Sequence, residues 1–129
     1  MATLTNAVDD GQVTAEKVAF AVRKIVDLAK PLRIIAFGSR ARGTHQPDSD
    51  LDLAVIVEKY DREAQPRPIF RADLDVWMSI DLLVVDSQRY EFMKSSIISV
   101  HHEIANEGVV LYDARIGSVD LGAVERIAR

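Results

Sequence analysis

The chain has 129 residues, 48% of them hydrophobic and 28% charged, which suits one globular domain and excludes a mostly disordered chain. Its 16 basic residues stand against 20 acidic ones, a net charge of −4, whereas a domain that grips nucleic acid through phosphates shows the opposite balance. It has no cysteine, which removes disulfides, thiolate metal sites and a cysteine nucleophile. No 18-residue apolar run and no basic-then-apolar leader is present, so the expected compartment is the cytoplasm.

Residues 1–13 read as a loose polar lead-in to a domain spanning 1–129. Thr14 suits a helix N-cap, and Val18, Val22, Ile25, Val26 and Ala29 recur at helical spacing, predicting a helix over 15–30 that Pro31 stops. Residues 32–37 read as a strand broken by Gly38-Ser39. Residues 40–42 suit one helical turn ended by Gly43, and 44–49 suit a loop. Residues 51–57 predict a second strand, apolar on both faces in its later half and therefore central. Residues 58–68, with two prolines and many charges, read as a surface excursion, and 69–78 as a helix. A third strand is expected over 80–85. Ser87 suits the cap of a helix running to Asn106, broken near Ser95-Ser96 and closed by Gly108. A last strand is expected over 109–112. Residues 113–129 fit either a short helix or a mobile tail. The order predicts an α/β or α+β sheet with helices packed on it.

The chemistry concentrates between Gly38 and Leu53. In a strand, residues two apart share a face at roughly 7 Å, so Asp50 and Asp52 point the same way. Two adjacent carboxylates repel unless a proton or cation lies between them. Asp81 opens the third strand and joins the pair if strands two and three are neighbours. Three hard oxygen donors without His or Cys suit Mg²⁺ or Mn²⁺ rather than Zn²⁺. A strand that runs into Gly38-Ser39 and then a helical turn offers free backbone N–H groups to a phosphate, with Arg40 and Arg42 nearby. An anion cradle beside metal-binding carboxylates suits phosphoryl or nucleotidyl transfer. Two rival motifs fail. A P-loop needs Lys where Thr44 stands, and an EF-hand needs Gly and Glu where Leu53 and Lys59 stand.

Gly38-Ser39, ten residues, then Asp50-x-Asp52, resembles the signature of the minimal nucleotidyltransferase (MNT) family within the DNA polymerase beta-like superfamily. Asp81 on a later strand and the closing segment from Glu103 to Tyr112 extend the likeness over about 15–112. The resemblance implies a mixed sheet of about four to five strands with helices on one face. It implies Asp50, Asp52 and Asp81 as catalytic metal ligands, Asp81 also taking the proton of the attacking hydroxyl. Gly38 and Ser39 would hold the triphosphate, with Arg42 as a looser phosphate contact. It also implies Mg²⁺ (or Mn²⁺) as cofactor and ATP as substrate. The implied role is that of an antitoxin which adenylylates a tyrosine of a partner HEPN-domain ribonuclease toxin, in a hetero-oligomer and without direct nucleic-acid binding.

Plainer readings stand beside these. Paired aspartates are often solvated strand ends, and Arg40 and Arg42 suit surface charges as well as phosphate contacts. His101-His102 lacks a third metal ligand and suits surface or core packing. His45 lies in the loop between cradle and carboxylates, where it fits either solvent or nucleotide. Trp77, Phe70 and Leu74 suit the core or a partner interface, and Tyr60, Tyr90 and Tyr112 suit packing. A toxin-binding module without catalysis and an aminoglycoside-type small-molecule nucleotidyltransferase are the alternative functions.

Overall fold

The computed structural model describes residues 9–129. The element order is α1 (Ala15–Ala29), β1 (Arg33–Phe37), α2 (Ser39–Arg42), β2 (Leu51–Val57), a 3-10 turn (Arg71–Leu74), β3 (Ile80–Asp86), α3 (Ser87–Met93), α4 (Val100–Glu107), β4 (Val109–Asp113) and α5 (Leu121–Ala128). Among these residues no helix is long and apolar enough to cross a membrane.

The four strands form one mixed sheet in the order β3-β2-β1-β4. β1 runs antiparallel to both β2 and β4, and β2 runs parallel to β3. This is the mixed α/β sheet that the element order predicts. Strand alternation divides its side chains between two cores. Ile34, Ala36, Leu51, Leu53, Val55 and Val57 pack with α1 and α5, while Ile35, Ala54, Ile56 and Val85 meet Tyr90 of α3 and Ile104 of α4. Helices therefore cover both faces, where one was expected. The apolar later half of β2 is central because both faces need cover.

Local chemistry sets the boundaries. Thr14 Oγ1 accepts from the Lys17 N–H at 3.2 Å and starts α1. Lys30 ends it in the left-handed region at φ 49°, before Pro31. The expected helix over 69–78 shrinks to a single 3-10 turn. The Asp73 carboxylate captures the Phe70 N–H at 2.8 Å, and Asp75 turns left-handed at φ 53°, so the backbone groups close locally. Leu74 is buried there, while Phe70 and Trp77 stay half-exposed.

Asp86, not Ser87, caps α3, accepting from the N–H groups of Gln88 and Arg89 at 2.9 and 3.0 Å. The break expected near 95–96 widens to 94–99, and Ser99 caps α4 afresh. The end of the chain settles as a helix: Val124 and Ile127 of α5 are buried in the core they share with α1. Of the expected lead-in, residues 1–8 lie outside the described residues, and Val13 is already buried.

Candidate active site

The end of β1 and the start of β2 lie side by side because the strands are antiparallel: Phe37 pairs with Asp52. The next residue, Gly38, takes φ 76° and ψ −157°, a region essentially reserved for glycine. A side chain at 38 would overlap the Asp52 carboxylate. Glycine is therefore required twice, by its backbone angles and by the closeness of the carboxylate. Ser39 begins α2; the Arg42 N–H is taken by the Gly38 carbonyl at 3.1 Å, and the N–H groups before it have no acceptor inside the helix. Gly43, at φ 77°, closes that turn.

The parallel register of β2 and β3 sets Asp52 directly beside Asp81. Both lie on the sheet face that carries Ala54, Ile56 and Val85 farther along, the face covered by α3 and α4. Asp50 precedes β2, and its Oδ1 accepts a hydrogen bond from Ser79 Oγ just before β3. Asp50 and Asp81 are exposed, whereas Asp52 is half-buried. Burial raises the Asp52 pKa above the usual carboxylate range; the charges of Asp81, Asp50 and Glu103 add to this, and Arg42 opposes it.

Among the described residues, no three acidic or imidazole side chains come together as a group that could by itself hold a metal ion. Mg²⁺ does not require one. It binds through one or two carboxylates and draws its remaining ligands from water and substrate phosphates. Half-buried Asp52, repelled by the exposed Asp50 and Asp81, fits such an open site.

The neighbouring side chains divide sharply. Arg40 is almost completely buried, at 3% exposure, and donates to three carbonyls: Ser49 from Nε at 3.1 Å, Ile127 from Nη1 and Pro47 from Nη2, both at 3.2 Å. It ties the loop to α5, so neither the surface nor the phosphate reading of Arg40 describes it. His45 is likewise held, its Nε2 against the Arg129 carbonyl. Arg42 remains half-exposed and pairs through Nη1 with Glu103 at 3.1 Å and Glu107 at 3.6 Å.

His101 faces Tyr90 with ring centroids 6.3 Å apart, and burial lowers its pKa. His102 Nδ1 lies 3.0 Å from the Lys94 carbonyl. Both belong to the α3–α4 packing. Tyr90 is buried, and Tyr60 and Tyr112 pack half-buried against the other core.

The structure thus brings Gly38, Ser39, Asp50, Asp52 and Asp81 to one end of the β1–β2–β3 region and places Arg42 at its margin. Sequence reasoning missed Ser79, Glu103 and Glu107. Ser79 lies two residues before Asp81, a position that names no role by itself. Glu103 and Glu107 have the four-residue spacing of one helical face, a signal that shows they share a side but not what they meet.

The family model described as polymerase beta, nucleotidyltransferase, matches residues 22–116. No curated protein matches this chain significantly. A crystal structure from Sulfolobus solfataricus, described as that of a candidate nucleotidyltransferase, is similar in fold. Its TM-score is 0.56 over 84% of this chain and 86% of that one, at 16% identity.

Proposed function

The chain belongs to the polymerase beta nucleotidyltransferase family, and from that premise we propose that it moves AMP from ATP onto a tyrosine hydroxyl of a HEPN-domain ribonuclease toxin, as its antitoxin. The observation that carries the chemistry is the alignment of Asp52 with Asp81 across parallel strands, with Gly38 packed against the Asp52 carboxylate.

Gly38 and Ser39 receive the triphosphate through backbone N–H groups and the Ser39 hydroxyl. Asp50, Asp52 and Asp81 would hold Mg²⁺, with Mn²⁺ as a substitute, and the bound metal would neutralise charge on the phosphoryl oxygens. Asp81, exposed on the edge strand, takes the proton of the acceptor hydroxyl. The tyrosine oxygen then bonds to the α-phosphorus of ATP, the bond to the bridging oxygen breaks, and pyrophosphate leaves.

Two features support a protein acceptor. The site is open, with Asp50 and Asp81 exposed, so it suits an acceptor that brings its own surface. Large apolar residues are exposed among the described residues: Phe70 and Trp77 before β3, and Phe92, Ile97 and Ile98 around the α3–α4 connection, the last 93% exposed. The acidic balance of the chain disfavours nucleic acid as that partner.

The experiment is to incubate the purified protein encoded beside this chain with the chain, ATP and Mg²⁺, and to take its intact mass. A gain of AMP on a tyrosine, lost with Asp50→Asn plus Asp52→Asn, is expected. Full neutralisation without mass gain, equal in that double variant, would replace this proposal with a module that acts by binding alone. Transfer to an aminoglycoside in place of the toxin would assign a small-molecule enzyme.

A further inference from the structure

Arg42 carries the positive charge that opposes the raised pKa of Asp52, yet among the described residues it pairs with none of Asp50, Asp52 and Asp81. Its guanidinium is turned instead to α4, where Glu103 and Glu107 share Nη1. Two glutamates four residues apart on a helix repel each other, and a cation between them reverses that cost. Arg42 supplies the cation. Its Nε and Nη2 make no other hydrogen bond among the described residues, so the clamp occupies one nitrogen and leaves most of the donor fork free.

An unclamped arginine at this place would have another partner. Asp52, which already feels the charges of Asp81 and Asp50, attracts a guanidinium, and an arginine settled on it would compete directly with a divalent cation.

We propose that Glu103 and Glu107 are positioning residues that hold Arg42 away from Asp52 and Asp81, so that the aspartates stay open to a metal ion while the free edge of the guanidinium faces incoming phosphate. The proposal rests on the reading of Asp50, Asp52 and Asp81 as metal ligands. It adds that α4, remote in sequence from the signature, sets how available those ligands are. The clamp also gives Arg42 a purpose before nucleotide arrives, because a restrained guanidinium loses less rotamer freedom when it meets a phosphate.

The test is titration of the nucleotide-free protein with Mn²⁺, the free ion being read by electron paramagnetic resonance. Glu103→Gln plus Glu107→Gln should weaken Mn²⁺ binding by about tenfold, as Arg42 falls onto the aspartates. Adding Arg42→Ala to that double variant should restore affinity to the wild-type value or better. Simple loss of negative charge predicts the same weakening with and without Arg42, and that result would overturn the proposal. So would a double variant that binds Mn²⁺ as wild type does. If the double variant does not fold, Glu103→Gln alone carries the same comparison with and without Arg42→Ala. Mn²⁺ binding that is lost with Asp52→Asn but unchanged by the glutamate substitutions would leave the active-site reading intact and remove this one. A wild-type protein that binds no Mn²⁺ would remove both.

Discussion

The α-carbon of Gly38 lies so close to the carboxylate of Asp52 that a methyl group on it would overlap Oδ2. Gly38 and the Asp52 carboxylate are therefore one packed unit, and neither can change size alone. Gly38→Ala should cost on the order of 1–3 kcal/mol in backbone strain, with further loss from displacement of the carboxylate. Thermal melting should report the first effect and ATP titration the second. A Gly38→Ala protein with wild-type stability and ATP affinity would contradict the close approach.

Asp52 also gives the fold a pH dependence. Its carboxyl is held above the usual range by burial and by Asp81, Asp50 and Glu103, so the folded state keeps this proton at pH values where the unfolded chain has lost it. The stability cost is absent below the ordinary aspartate pKa and grows as pH rises through the raised one. Asp52→Asn should melt above wild type at neutral pH, and the gap should close as the solution is acidified. Parallel melting curves that keep a constant gap at every pH would contradict it. Transfer activity should meanwhile fall by orders of magnitude, the opposite direction from stability.

Ser79 orients Asp50 through its hydroxyl. Removing that donor by Ser79→Ala should cost on the order of 1 kcal/mol of metal or nucleotide affinity. Titration with Mn²⁺ in the presence of ATP should show a several-fold weaker midpoint, with the melting temperature changing little because the position is near the surface.

Arg40 belongs to stability rather than chemistry. Its three carbonyl contacts join the 44–49 loop to the end of α5, and its substitution by Met leaves the acceptors of Pro47, Ser49 and Ile127 without their charged donor. Arg40→Met should lower unfolding free energy by about 2–4 kcal/mol. Denaturant titration checks the size, and hydrogen exchange should show the largest loss of protection in α5.

These cases show which parts of the molecule a sequence discloses. The signature from Gly38 to Asp52 was legible because two adjacent strand ends and a short loop carry it, and residue spacing fixes which side each group faces. β2 was legible as central from its unbroken apolar half. Arg40 was not, because the acceptors that bury it include a carbonyl at residue 127, and nothing in its own neighbourhood signals them. Glu103 and Glu107 escaped notice for the same reason, since only the packing of α4 brings them to Arg42. The helix expected over 69–78 failed differently: apolar spacing at Phe70, Leu74 and Trp77 was present, but Asp73 and Asp75 satisfied the backbone locally and ended the turn.

The strand pairing also imposes an order of assembly. Gly38 and Asp52 meet across neighbouring antiparallel strands joined by one loop, a local closure of the kind that forms early and fast. Asp81 reaches Asp52 only through a parallel pairing, after the long 58–79 connection has packed Ile69, Leu74 and Met78 onto α1. Parallel contacts of that kind are slower, because the closure entropy of the intervening chain precedes their reward. Gly38 and Asp52 therefore meet before Asp81 joins them, and the pairing of β1 with β4, which closes a still longer stretch of chain, comes later by the same reasoning.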